Sequence, residues 1–358
     1  MNSNFPSTPG TQNWFADKPV VVVAQNPRQR SSRATAKNDS QQERRTPPSV
    51  VNLSLAIPTY GRNKVLIKTI ESILKLHCQP REILVLDQSS KHDRETQQRL
   101  DLWQGMDVIR WIRIPKPSIP GAMNRALRIA VAPSVLFIDD DILPRGEFIR
   151  HHHEALRDRP ERWATVGQIV QPWQEPSDVA APRRSSGIYR DFDFPFCSTR
   201  DQDVTNVMAG NLCVRRQQAL WIGGFDEGYV GVAYRFESDF AHRLVKSGGQ
   251  IRFLGNAGID HLMASKGGTR SYGKHQSSPS PMHAVGDYYY ARKHTKHQAM
   301  VWFYSLRRLV KESFTRFHLL RPWLIPFKLV GEVRGYFLAK SLLEKQSSAL
   351  QDPKQEDQ

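Results

Sequence analysis

The sequence predicts an α/β fold, with a mostly parallel central sheet flanked by helices and a helical C-terminal appendage. Two observations carry the sheet: short apolar runs alternate with helix-periodic stretches from Val51 to Asp141, and the runs are apolar throughout. Strands covered by helices on both faces have that pattern. A third observation carries the appendage, since beyond Met300 apolar and basic residues recur together at helical spacing.

The first run, VNLSLAIP, begins at Val51 and ends at Pro58. Val65, Leu66, Thr69, Ile70, Ile73 and Leu74 follow at spacings of three and four, which predicts a helix. EILVLD is the next strand, closed by Asp87 and the polar loop QSSKHD. A helix over about 93–104, the run VIRWIRI, a helix over about 120–131 and SVLFIDDD complete the alternation. In open sheets of this kind ligands bind beyond the carboxyl ends of the strands. Two such ends carry acids here: Asp87, and the cluster Asp139, Asp140 and Asp141.

The second half is less regular. It holds a Pro- and Asp-rich stretch (172–205), the run VMAGNLCVRR and the Gly-rich turn GGFDEGYVG. FESDFAHRLVKSG reads as a helix ending at Gly248 and Gly249, residues suited to a helix C-terminus. IRFLGNAGIDH reads as a short strand running into a loop.

Composition narrows the class. A chain of 358 residues can bury a substantial core, and a net charge of +16 favours polyanionic partners or anionic surfaces. Cys78, Cys197 and Cys213 form neither a disulfide framework nor a metal spacing, so a reducing compartment is expected. The polar start lacks a signal-type apolar segment, and no uninterrupted apolar stretch of about 18 residues is present. The expected location is cytoplasmic, or peripheral on the cytoplasmic face of a membrane. Residues 1–49 are expected to be a disordered tail, 50–298 the catalytic domain, 299–346 a basic amphipathic helical region and 347–358 a second disordered tail.

Three consecutive carboxylates repel one another unless a hard cation such as Mg²⁺ or Mn²⁺ neutralises them; the plainer reading is a solvated acidic turn. Glu237 and Asp239 open a helix, where acids favour the helix dipole or serve as a general base. His261 closes a strand after Asp260, as a structural side chain or a ligand.

The ordered series AIPTYGR (56–62), VLDQSS (85–90), FIDDDILP (137–144), AGNLCVRR (209–216), IGGFDE (222–227), FESDFAHRL (236–244) and DH (260–261) resembles family 2 glycosyltransferases. The resemblance spans roughly 51–265 and implies a GT-A, Rossmann-like nucleotide-diphospho-sugar transferase fold and an inverting transfer. It implies that Pro58, Tyr60, Arg62 and Asp87 line the nucleotide pocket, with Asn124, Asp139, Asp140 and Asn211 also at the nucleotide-sugar. Asp139 and Asp141 match the family's DxD pair and, with His261, would hold Mn²⁺ or Mg²⁺. Glu237 falls at the catalytic-base position, with Asp239 as the other candidate. Gln88 stands where many members have a second acid, which leaves the donor base open. The implied partners are a nucleotide-diphospho-sugar donor and a saccharide or lipid-linked acceptor, in cell-surface or extracellular polysaccharide synthesis. The alternative is an inactive relative that binds sugar nucleotide or a partner.

KGGTRSYGKH, after His261, reads as a mobile loop with Lys266 and Arg270 as phosphate contacts, or as a solvated basic loop. In the tail, Trp302, Phe303, Leu306, Leu309, Val310, Phe314 and Phe317 share a helical segment with Arg307, Arg308, Lys311, Arg316 and Arg321. That mixture suits an anionic membrane surface, or an apolar stripe packed on the domain with its charges in solvent. Nucleic acid is not expected, because no RNP, zinc-finger or helix-turn-helix signature is present.

Overall fold

The computed structural model describes residues 49–178 and 195–351. Most of the expected N-terminal tail, much of the Pro- and Asp-rich stretch and the last seven residues lie outside the described residues.

The first half follows the predicted alternation: β1 (Ser49–Thr59), α1 (Lys64–Leu74), β2 (Cys78–Asp87), α2 (Arg94–Gly105), β3 (Arg110–Arg113), α3 (Ile119–Ile129) and β4 (Ser134–Ile138). Then come β5 (Ile142–Pro144), α4 (Phe148–Arg157), β6 (Arg162–Val170), β7 (Gln202–Val204), β8 (Asn211–Arg215), α5 (Arg216–Trp221), α6 (Phe236–Lys246) and β9 (Gln250–His261). The C-terminal helices are α7 (Val285–His294), α8 (Gln298–Ser313), α9 (Arg316–Leu319) and α10 (Ile325–Gln351). The last helix runs past residue 346, the expected end of the helical region.

The strands form one nine-stranded sheet in the order β3-β2-β1-β4-β8-β6-β9-β5, with β7 on β9. The β3-β2-β1-β4 half is parallel, as crossover helices require. β8 runs antiparallel to both β4 and β6, so it begins at the edge where β1, β2 and β4 end. This reversal brings the AGN segment beside the acid cluster.

Burial explains the elements. All five residues of β4 are buried, each large apolar side chain contributing about 1.5–3 kcal/mol. Leu66, Thr69, Ile70 and Ile73 form the inward face of α1. Thr69 also braces the acidic turn: its Oγ1 accepts from the Ile142 N–H (3.2 Å) and donates to the Asp140 carbonyl (3.0 Å). Asp93 and Ser118 cap α2 and α3, accepting from Thr96 and Gly121 N–H groups.

The elements α4 and β6 are not apparent from the sequence pattern. FIRHHHEALR is polar in composition, yet His152 is buried between Thr165 Oγ1 (2.7 Å) and Asn211 Oδ1 (2.9 Å). In β6, Thr165 and Gln168 are buried by partners from distant segments, which no local periodicity encodes.

Candidate active site

The carboxyl ends of β1, β2 and β4 place Thr59, Asp87 and Asp139 along one edge of the sheet. Asp139 keeps 48% of its side chain exposed, whereas Asp140 and Asp141 are buried. β9 returns along β5 so that His261 pairs with Ile142, immediately after the acids. His261 Nε2 then lies 3.1 Å from Asp141 Oδ1 and 3.9 Å from Asp139 Oδ2. Ligand atoms of Asp139, Asp141 and His261 all fall within 4.8 Å of one another, a donor set able to hold a metal ion.

The cluster is short of positive charge. Arg62 is its guanidinium partner, with Nε 3.1 Å from Asp140 Oδ1 and Nη2 3.4 Å from Asp141 Oδ2. Burial, outweighing Arg62, pushes the Asp140 carboxyl up to about 7. Burial also works against the ionised form of Asp141, but His261, Arg62 and the Ala264 N–H hold its carboxyl below the usual range. Arg62, expected to line a nucleotide pocket, binds the acid turn and the carbonyls of Ala264 and Lys266. The Gly268 N–H donates to the Tyr60 carbonyl (2.7 Å), so the loop after His261 is latched to the end of β1. Lys266 is exposed on that loop, and the side chain of Arg270 lies outside the described residues.

Gln171 completes the histidine. Its Oε1 lies 2.9 Å from His261 Nδ1, so the imidazole donates there and presents Nε2 to the acids. No motif pointed to Gln171; the only sequence signal is its place just after the last residue of β6.

On the other side of Asp139, the chain passes at van der Waals limits. A Cβ on Gly210 would sit 2.4 Å from Asp139 Oδ2, so a larger residue there would displace the Asp139 carboxylate. The neighbouring Ala209 N–H donates to Glu237 Oε1 (2.7 Å), which brings the first turn of α6 to the acid cluster. Glu237 is partly buried, and burial pushes its carboxyl up to about 7 against the pull of that hydrogen bond. Its second oxygen has no protein hydrogen bond among the described residues.

Asp87 is fully buried and accepts from the Ser89 N–H (2.9 Å), His92 Nε2 (2.8 Å), Trp111 Nε1 (3.0 Å) and Arg113 Nη1 (3.2 Å). Burial opposes its ionisation, but the His92 and Ser89 hydrogen bonds keep the carboxyl below the ordinary range. It orders Trp111 and Arg113 instead of presenting a bare carboxylate.

Residues 54–222 match the family model described as glycosyl transferase family 2. Over this stretch the chain is similar to the family 2 glycosyltransferases. Among solved structures, GalNAc-T7 with UDP, GalNAc and Mn²⁺ is similar at 15% identity and a TM-score of 0.49, covering 63% of this chain and 47% of its own. The chain thus spans about half the length of that protein. Mannosyltransferase PcManGT from Pyrobaculum calidifontis, with GDP-Man and Mn²⁺, is 14% identical with a TM-score of 0.45, covering 84% of this chain and 81% of its own. S. aureus TarS 1–349 with UDP-GlcNAc is 12% identical with a TM-score of 0.46, covering 82% and 92%. No curated protein matches the chain significantly.

Within the matched stretch, two asparagines expected at the nucleotide-sugar act as internal brackets. Asn124 accepts from the Phe225 N–H (2.8 Å) and donates to the Phe225 carbonyl (2.7 Å) and Glu227 (2.8 Å). It thereby fixes the GGFDE turn, where Gly224 has φ +63 and passes against the asparagine oxygen. Asn211 is fully buried and donates to the carbonyls of Gln168 (3.1 Å) and Ala257 (2.8 Å), tying β8 to β6 and β9. A buried amide with its donors and acceptor so engaged is a structural fastener.

Asp239 differs from Glu237 in the same way. It is fully buried, 2.8 Å from His294 Nε2, 2.7 Å from Lys293 Nζ and 2.8 Å from Arg243 Nη2. Burial disfavours its charge, but His294, Arg243 and Lys293 prevail and depress the carboxyl strongly. With both oxygens engaged by cations, Asp239 anchors α7 to α6.

Proposed function

We propose that the domain is an inverting, metal-dependent glycosyltransferase that moves a sugar from a nucleoside-diphosphate donor to an acceptor hydroxyl. The observation that carries this reading is the convergence of Asp139, Asp141 and His261 beside a Glu237 carboxylate with one oxygen unclaimed. Mn²⁺ or Mg²⁺ held by those three residues would supply Lewis-acid stabilisation of the departing diphosphate. Gln171 keeps His261 in the tautomer that offers a lone pair at Nε2.

In this reading Glu237 is the general base. It takes the acceptor hydroxyl proton as the acceptor oxygen bonds to the anomeric carbon and the bond from that carbon to the diphosphate oxygen breaks. Attack opposite the leaving group inverts the anomeric centre through an oxocarbenium-like transition state. A carboxyl poised near 7 suits the task, being ionised at mildly alkaline pH and still basic. Asp87 acts through Trp111 and Arg113, which it orders at the edge where a base or ribose would lie. Pro58 and Tyr60 end the first strand on that same edge. From the family resemblance we infer a saccharide or lipid-linked acceptor and a place in polysaccharide assembly.

The test is turnover of isotope-labelled UDP-, dTDP- and GDP-sugars, with Mn²⁺ or Mg²⁺ and with EDTA, on wild type and Asp141→Asn. The expected result is release of nucleoside diphosphate from one donor, abolished by EDTA and lowered at least about a hundredfold in the variant. Metal-dependent nucleotide binding without turnover of any donor, across an acceptor panel, would instead favour a binding protein. Absence of metal-dependent nucleotide binding overturns both.

A further inference from the structure

The C-terminal helices pack on one another through buried Tyr288, Val301, Tyr304 and Ala339 and through a buried ionic network. Arg308 on α8 pairs with Asp287 on α7 and with Glu332 on α10 (3.0 Å), and Lys328 lies 2.8 Å from Glu332. Arg235, just before α6, joins the same network at 2.9 Å from Asp287. The side chains that face outward are large and apolar. Trp302, Phe303, Trp323 and Phe337 are each between 62% and 66% exposed, with Leu306 and Phe327 also more than half exposed. Large aromatic side chains exposed together in this way mark an interaction surface.

The outer surface is also basic. Over residues 298–340 the sequence holds eight Lys and Arg against two Glu, and one of those, Glu332, is fully buried. Arg307, Lys311, Arg321, Arg334 and Lys340 are exposed on the same segment as the aromatics. The Trp302 and Tyr336 rings lie 6.4 Å apart where α8 and α10 pack side by side. No helix among the described residues is long and apolar enough to cross a membrane.

We propose that the outer face of α8 to α10 lies in the interface of an anionic lipid bilayer, with its aromatics among the acyl carbons and its basic side chains on the lipid phosphates. Interfacial helices combine these two features, and Lys or Arg near an anionic surface contributes about 1 kcal/mol each. A second copy of this chain fits less well, because a self-facing contact would set two strongly basic surfaces against each other. The inference stands apart from the transferase chemistry and is tested without any donor.

The experiment is co-sedimentation of the full chain with phosphatidylcholine vesicles and with vesicles containing phosphatidylglycerol, at low and high salt, alongside sedimentation velocity without lipid. Wild type should bind the anionic vesicles and lose affinity with salt. The triple variant Trp302→Ser, Phe303→Ser, Phe337→Ser should bind at least about tenfold more weakly at either salt concentration. Arg307→Gln with Lys311→Gln should weaken anionic binding by roughly fivefold per charge and leave binding to neutral vesicles unchanged. All these positions are exposed, so the variants should keep the wild-type melting curve, which is the control. Failure of wild type to bind either vesicle overturns the proposal. A lipid-independent dimer that the triple variant dissolves, without vesicle binding, assigns the face to a second copy and also overturns it.

Discussion

Two groups of acids in this molecule, linked by Glu237 and Asp239 on one helix, differ in how their charge is met. Asp226 and Asp239 are matched inside the protein, Lys293 reaching both and Arg243 and His294 completing Asp239. Of Asp139, Asp140, Asp141 and Glu237, the middle two meet Arg62, Asp139 and Asp141 lie beside His261, and Glu237 accepts from the Ala209 N–H. Buried charge is stable when paired and costly when it is not. The matched group holds helices together; the other group contains the donor set able to hold a metal ion, and the function proposed above draws on it. Proximity in sequence does not separate them, since Glu237 and Asp239 are two residues apart on one helix.

The sharpest way to break that contrast is to remove one acid from each group. Glu237→Gln should lower kcat by about 10²–10⁴-fold while leaving folding stability unchanged or raised. The sign follows from a carboxyl raised to about 7, whose ionised form the folded state resists at higher pH. Asp239→Ala should do the reverse, costing about 3–5 kcal/mol in urea unfolding by stranding Lys293, Arg243 and His294. Equal stability losses in both variants would erase the distinction.

A buried histidine in a structural role gives a stability test of intermediate size. Burial lowers His152 from 6.5 to about 4, outweighing its hydrogen bond to Asn211. The folded state resists a proton that the unfolded chain accepts, so the contribution is complete above pH 6.5 and fades as pH falls toward 4. The loss should be about 3 kcal/mol by pH 4. His152→Gln should flatten that slope in denaturation curves measured across the range; an unchanged slope would assign the loss to other groups.

The smallest effect sharpens the metal assignment. Gln171→Ala should weaken Mn²⁺ binding by about 10–100-fold in calorimetric titration, because His261 loses the partner that orients it. Gln171→Glu should restore binding, since a carboxylate also accepts from Nδ1. Unchanged affinity in Gln171→Ala would take His261 out of the donor set.

Much of the framework is legible in the sequence because it rests on local rules. The apolar runs around Leu55, Leu84 and Phe137 specify strands, and a parallel sheet dictates that its ligands gather where Asp87 and Asp139 end those strands. The sequence by itself therefore determined the α/β alternation and the acid-rich edge. Tertiary structure decided which polar groups are available. The amides of Asn124 and Asn211 meet Phe225, Gln168 and Ala257, and the oxygens of Asp239 meet Lys293 and His294, partners that no local pattern names. The supporting Gln171 stands 90 residues from His261, and the exposed aromatics of α8 and α10 stand on helices whose Arg308 turns inward to Asp287 and Glu332. Pattern and periodicity record what each residue prefers, but hydrogen-bond and charge satisfaction are settled between distant segments, and only the folded chain brings those segments together.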